Sequence, residues 1–338
     1  MAEARRVLDA VAASAGLLLD LVELDVGADR YISEGVAITE EEFRSIEKDC
    51  DAVLLGALGD PRVPGNEHAK EILLGLRFRL DLYVNFRPCL LLAPELSPLR
   101  SVSGPVRLEI FRENTEGAYT GMGGRFKAGT PDEVALEENI ATRKGVERIV
   151  RAAFEYARAR ERTKVTLVDK SNVMTHVGGL WRAVFATVGA EFDDIEADAM
   201  YVDAMAMDLV RRPDRYEVIV ASNLFGDIIS DLAAEVTGGL GMAPSANVHP
   251  GRHALFEPVH GSAPDIAGTG RANPVGAIRC VGLLLDHLGH AEAARRVEAA
   301  VVNALGAGAT TPDLGGHRST QQVGEWIAGA LISPTTRS

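Results

Sequence analysis

Short β-branched or apolar runs alternate with longer, helically spaced segments along most of the chain. A hydrophobic period that keeps switching between about 2 and about 3.6 residues admits few folds. The short runs read as strands at residues 17–24, 52–56, 107–111, 164–168 and 217–221. Helical spacing marks residues 2–14, 40–48, 142–160, 179–188 and 277–288, with one more amphipathic helix and a frayed end between residues 310 and 338. Strands separated by helices predict a largely parallel sheet covered by helices, the α/β class. Residues 121–139 break the pattern with glycine-rich, polar sequence, as an excursion such as a two-stranded arm would.

At 338 residues the chain is long for one core, so two domains or one large α/β unit is expected. The net charge of −13 argues against a nucleic-acid or anionic-membrane partner, since both need a basic face. Positive charge for an acidic ligand would have to be local. Cys50, Cys89 and Cys280 are too scattered for a disulfide frame or a zinc site, which fits a reducing cytoplasm. No apolar stretch reaches the roughly 18–20 residues of a membrane span, and no signal peptide precedes the first helix, so a soluble cytoplasmic protein is expected.

Within Asn-Leu-Phe-Gly-Asp-Ile-Ile-Ser-Asp, Asp227 and Asp231 stand four residues apart, beside a glycine that would let backbone approach a ligand. On a helix that spacing stacks both carboxylates on one face, and hard oxygen donors suit Mg²⁺ or Mn²⁺. They would lie just past a strand end, where open α/β sheets bind ligands. Two solvated carboxylates at a helix N-terminus explain these nine residues slightly better. Arg77, Arg87 and Arg112 near strand ends suggest a di-acid ligand, because guanidinium grips carboxylates in two places; singly, each is better explained as a surface ion-pair residue. Tyr119, just after the probable turn at Glu116-Gly117, and Lys170, just after a strand, could be an acid–base pair if positive charge, a metal or burial lowered their pKa values. Taken singly, a packing role explains the tyrosine better and a snorkelling role the lysine. The stretch from Glu257 to Gly268, followed by Asn273, packs a histidine, small residues and Asp265 into a ligand-following loop. Asp265 could take two ribose hydroxyls and would repel a 2′-phosphate, which implies NAD rather than NADP. No Gly-x-Gly-x-x-Gly fingerprint follows a first strand, so a Rossmann domain is disfavoured.

Together these clusters, in this order and spacing from the first residues to about Leu288, resemble the β-decarboxylating dehydrogenases that act on isocitrate, 3-isopropylmalate, homoisocitrate, tartrate or D-malate. The resemblance implies two α/β domains sharing one long mixed sheet, a nucleotide-binding domain of residues 1–89 and 238–338, and a dimerisation and catalytic domain of residues 90–237 whose arm, 121–139, clasps a partner. It makes Arg77, Arg87 and Arg112 the substrate-carboxylate clamps, with Asn172 beside Lys170, and Tyr119 and Lys170 the acid–base pair. Asp203, Asp227 and Asp231 become the Mg²⁺ or Mn²⁺ ligands. Glu257, His260, Gly261, Ser262, Ala263, Pro264, Asp265, Ile266 and Asn273 surround NAD. The active site is shared across a homodimer, with Lys170 and Asp203 coming from the partner chain.

An apolar wall, Ile72-Leu73-Leu74-Gly75-Leu76, precedes Arg77. Leu73 and Leu74 there favour an isopropyl group, since burying one branched alkyl group is worth roughly 2 kcal/mol. The resemblance thus implies NAD-dependent oxidative decarboxylation of 3-isopropylmalate to 4-methyl-2-oxopentanoate, a step of leucine biosynthesis, with D-malate or tartrate second and homoisocitrate third. A non-catalytic regulatory subunit is the rival from another class, and the retained Tyr119, Lys170 and three aspartates argue against it. One departure is expected to matter. Family members open on a strand and a Gly-Asp-Gly-Ile-Gly-Pro-Glu loop ahead of the first helix, whereas here the sequence starts inside that helix, so weaker NAD binding is expected.

Overall fold

The computed structural model describes residues 1–100, 102 and 104–332. Its strands are β1 (Val53–Leu54), β2 (Val84–Leu90), β3 (Arg107–Glu113), β4 (Gly123–Phe126), β5 (Val134–Glu137), β6 (Lys164–Asp169), β7 (Glu196–Tyr201), β8 (Val218–Ala221), β9 (Pro244–His249) and β10 (His253–Pro258). The helices of the first third are α1 (Ala2–Ala15), α2 (Ala28–Glu34), α3 (Glu40–Asp49), α4 (Glu67–Ala69) and α5 (Gly75–Arg79). Those that follow are α6 (Arg143–Ala159), α7 (Thr175–Gly189), α8 (Val202–Arg211), α9 (Asn223–Val236), α10 (Val275–His287), α11 (Ala291–Gly306) and α12 (Thr320–Ile332). The frayed end expected beyond α12, residues 333–338, lies outside the described residues. The chain forms two compact units, one of Met1–Leu82, Leu91–Pro98 and the chain from Thr237 onward, the other of Tyr83–Leu90 and Leu99–Val236.

In the first unit α1 buries Ala4, Val7, Leu8 and Val11 and packs on α10 and α12. It stops at Gly16, whose φ of 67° lets the Gly16 and Leu17 amides turn back onto Ala13 and Ala12 carbonyls. Residues 17–24, expected as a strand, pair with no strand among the described residues, and Leu18 and Val22 are 100% and 65% exposed. Apolar content gives a segment strand propensity, but a ladder needs a neighbour, and none is placed there. Downstream, Thr39 and Glu42 cap α3 reciprocally, which fixes where that helix starts. Phe43 and Ile46 of α3 then join Ile72, Leu76 and Leu255 in one core. Gly75 is required there, because a β-carbon would come 2.9 Å from the Phe43 ring. Strand β10 pairs parallel with β1 and antiparallel with β9.

In the second unit the strand order is β2-β3-β8-β6-β7, antiparallel only between β2 and β3. Apart from β2–β3 the second unit's ladder is parallel, so it is largely parallel as expected, while in the first unit β10 has one parallel and one antiparallel neighbour. Side chains alternate across a strand, and the register sets Phe86 opposite Phe111 on one face, where both rings stack with Tyr156 of α6 at 5.1 Å. Their neighbours Asn85, Arg87 and Arg112 must face the other way, toward the side on which α9 packs. The stretch 121–139 forms the exposed antiparallel pair β4 and β5, so the arm is a hairpin.

Phe154 anchors the packing of α6 on α7: it is fully buried, with Phe185 and Phe192 ring centres 5.4 and 5.1 Å away. Replacing it with alanine should destabilise the fold by about 3–5 kcal/mol, read as a lower urea midpoint at unchanged slope.

Candidate active site

Helix α9 starts two residues after β8 ends, and positions 223, 227, 230 and 231 lie along one face of it. That face meets the arginines that strand alternation turned toward it. Arg87 reaches Asp231 at 2.9 Å, Asp227 at 3.1 Å and Ser230 Oγ at 2.7 Å. Arg112, with a side chain only 2% exposed, pairs with Asp227 through Nη1 and donates to Asn223 Oδ1 through Nε and Nη2 at 3.0 and 2.8 Å. Tyr119, on the short turn Ala118–Thr120, donates its hydroxyl to Asp227 Oδ2 at 2.7 Å, with the Arg112 guanidinium 5.0 Å from its ring centre. Arg87, Arg112, Tyr119, Asp227 and Asp231 thus converge.

The glycine beside these acids has a different task from the expected one. A β-carbon on Gly226 would sit 2.7 Å from Arg112 Cβ, so Gly226 lets α9 close onto β3 rather than onto a ligand. The electrostatics also depart from expectation for Tyr119. Burial, then the Asp227 hydrogen bond and charge, raise the phenol above its ordinary range, outweighing Arg112 and Arg87. Burial disfavours the phenolate, so it cannot lower a tyrosine's pKa. The phenol is therefore held as a proton donor. Burial likewise raises the Asp231 carboxyl, with Arg87 opposing and Asp227 adding to the shift.

Lys170 stands elsewhere in this unit, just past β6, and binds Asp203 of α8 at 2.5 Å. That hydrogen bond is the main cause holding the Asp203 carboxyl below its usual range. Asn172, two residues on, is exposed. Asp203 does not join Asp227 and Asp231: among the described residues no three His, Cys, Asp or Glu side chains gather as a metal site needs. Within one chain, then, two carboxylates of oxygen-only chemistry suit a hard cation but leave its shell incomplete.

The remaining candidates belong to the first unit. Arg77 is buried, pairs with Glu257 at 3.0 Å, and leaves its own Nε without a partner. Asn247 also donates to Glu257, at 2.9 Å. Leu73 packs against the Phe43 core, and Leu74 is half-buried on the widened turn Lys70–Leu74. The loop after β10 is largely exposed through Gly261, Ala263, Pro264 and Asp265, with Ser262 and Ile266 half-buried. His260 turns Nδ1 to the Gly261 carbonyl at 2.9 Å, and its buried Nε2 has no partner. Asn273 is fixed by Asp313 at 2.9 Å. A loop with an orphaned imidazole nitrogen and an exposed carboxylate, Asp265, offers hydrogen bonds to a polar ligand.

The full-length pattern has close counterparts. The family model described as isocitrate/isopropylmalate dehydrogenase matches residues 1–327. The chain belongs to that family. A 3-isopropylmalate dehydrogenase of Thermobifida fusca is 47% identical over 334 residues, covering 97% of this chain and 92% of that protein. Its counterpart in Streptomyces coelicolor is 46% identical over 330 residues, covering 97% and 93%. Among solved structures, an isocitrate dehydrogenase from Methylococcus capsulatus superposes with a TM-score of 0.89 at 37% identity, covering 98% of this chain and 95% of that one. Membership of this family makes the fold isocitrate dehydrogenase-like and α/β, as expected.

Asn223, Asn85 and Ser230 were not singled out in the sequence, yet Asn223 ties Arg112 to α9, and Asn85 accepts from Arg87 Nε at 2.8 Å. Extending the spacing of Asp227 and Asp231 one turn back finds Asn223; strand alternation finds Asn85. Gly226→Ala should destabilise by about 1–3 kcal/mol through overpacking, despite a gain of about 1 kcal/mol in helix propensity. A raised urea midpoint would refute the close-approach role.

Proposed function

We propose that the chain is an NAD-dependent, divalent-metal-assisted dehydrogenase that oxidises and decarboxylates 3-isopropylmalate to 4-methyl-2-oxopentanoate in leucine biosynthesis, in the cytoplasm. The observation that carries this reading is the meeting of Arg87, Arg112 and Tyr119 with Asp227 and Asp231 on one face of α9. Arginine forks hold a di-acid, and the acidic pair holds a cation. The names and near-complete overlap of the relatives support the substrate over D-malate, tartrate or homoisocitrate.

A Mg²⁺ or Mn²⁺ ion held by Asp227, Asp231 and Asp203 of a second copy would supply Lewis acidity at the substrate's hydroxyl oxygen, and NAD along the Glu257–Asn273 loop would accept the hydride. The chain's own groups divide the proton work. Arg77, Arg87 and Arg112 orient the carboxylates, with Asn172 beside Lys170 and Leu73 and Leu74 against the alkyl group. Lys170 accepts the hydroxyl proton, and Tyr119, held protonated, delivers a proton to the carbon that loses CO₂. Lys170 and Asp203 serve the site of a second copy. Support for that homodimer comes from apolar side chains left exposed on α8 and α9, Met207, Val210, Leu224 and Ile228, and on the arm, Phe126, Val134 and Leu136.

Two experiments test the reading. NADH formation with Mn²⁺ should be fastest with 3-isopropylmalate when D-malate, tartrate, homoisocitrate and isocitrate are run in parallel, and no turnover of any of them would point to a regulatory subunit. Lys170→Met and Asp227→Asn should each lower turnover about 10²–10⁴-fold. Mixing the two variants after subunit exchange should restore activity, because a mixed dimer contains an intact site; no recovery would sink the shared-site arrangement.

A further inference from the structure

The turn that carries Tyr119 is fastened from both sides by groups with no role in the reaction so far. On the strand side, the buried Glu113 carboxylate accepts from the Thr115 amide at 2.9 Å, the Thr115 hydroxyl at 2.7 Å and the Glu116 amide at 2.7 Å. On the helix side, the Glu116 carboxylate accepts from the Thr142 amide at 2.8 Å and the Thr142 hydroxyl at 2.5 Å. The same hydroxyl accepts from the Gly145 amide at 2.9 Å, capping α6, so a continuous chain of hydrogen bonds runs from the helix N-terminus to Glu116. The helix dipole favours a carboxylate there. A β-carbon on Gly145 would overlap that carboxylate, so the position must be glycine for the contact to form. Below, the Glu116 carbonyl accepts from Asn223 Nδ2 at 3.0 Å, and Asn223 in turn holds Arg112.

Glu116 also sits at the root of the arm. The chain leaves for β4 just after Gly117 and returns from β5 at Ile140, and the two limbs touch through the Gly117 amide and the Ile140 carbonyl at 2.8 Å. Thr142 is two residues past that bridge. The Glu116–Thr142 contact therefore staples the outgoing limb to the returning one, and Tyr119 lies three residues beyond the staple on the outgoing limb. Any displacement of the exposed hairpin is resisted there before it reaches the phenol.

We infer that Glu116 is a positioning residue: by binding Thr142 at the start of α6 it sets the Tyr119 hydroxyl over Asp227, and so governs proton transfer at carbon without governing hydride transfer. The inference rests on the reading of Tyr119 given above. General acid–base catalysis is sensitive to placement, and a misplacement of about 1 Å can cost about 100-fold.

The assay is deuterium exchange at C3 of 4-methyl-2-oxopentanoate in D₂O with Mg²⁺, in which a C3 proton is replaced by a solvent deuteron through the enolate at the Tyr119 hydroxyl, with no redox change. Hydride transfer is read separately, as NADH formed in a single turnover of 3-isopropylmalate. Glu116→Ala should slow exchange about 10- to 100-fold and leave the single-turnover hydride rate within about twofold. Gly145→Ala, which displaces the carboxylate without removing it, should give the same split, and Glu116→Gln, which keeps one acceptor oxygen, should lie between. Thermal melts of all three identify any variant that fails to fold. Tyr119→Phe separates the two ideas. If exchange survives in Tyr119→Phe, the acid assignment is wrong and the Glu116 role falls with it. If exchange is lost there but kept in Glu116→Ala and Gly145→Ala, or if both steps fall together in those variants, the Glu116 role alone is overturned.

Discussion

The Arg112 guanidinium is nearly sealed from solvent, and the second unit is organised around giving it partners. A buried cation left unpaired is strongly destabilising, so Asp227 and Asn223 are structural necessities as well as candidate site residues. Both lie on α9, and both reach Arg112 only because Gly226 lets the helix close onto β3. Arg87 repeats the arrangement one strand over, with Asp231 and Ser230. Two arginines against two carboxylates leave the cluster electrically balanced, which is how so much charge can sit beside a sheet in an acidic protein.

That balance also fixes the chemistry available to Tyr119. Its hydroxyl points at Asp227 and its ring lies near the Arg112 guanidinium, so the phenol feels an anion at the oxygen and a cation at the ring. Burial and the anion dominate. A phenol held protonated and aimed at a carboxylate is a donor awaiting an acceptor, whereas Lys170 lies against Asp203 and is partly exposed. The surroundings of these two side chains thus differ before any ligand arrives.

The sequence made some of this plain and hid the rest for physical reasons. Asp227 and Asp231 were legible as a pair because helical spacing is local, and the alternation of strands and helices announced an α/β fold because each period is set by neighbours within a few residues. The meeting of Arg87 with Arg112 was not legible. It depends on the antiparallel register of β2 and β3, which aligns residues about 25 apart, and no local pattern encodes a register. Gly226 was misread for the same reason: a glycine signals close approach, but sequence does not say to what. Residues 17–24 were read as a strand from composition, yet strand formation is a property of two segments and that one has no partner among the described residues.

Asp203 forms no three-carboxylate cluster with Asp227 and Asp231, and its carboxylate is held by Lys170 instead. Asp203 opens α8 directly after β7, whereas Asp227 and Asp231 lie on α9, which follows β8 and packs against α8. Under the arrangement proposed above, the third carboxylate of the cation site is Asp203 of a second copy. The alternative, a site of only two aspartates per chain, would have to compete with Arg87 and Arg112 for the same oxygens. A third carboxylate from a second copy would favour a divalent cation in that competition.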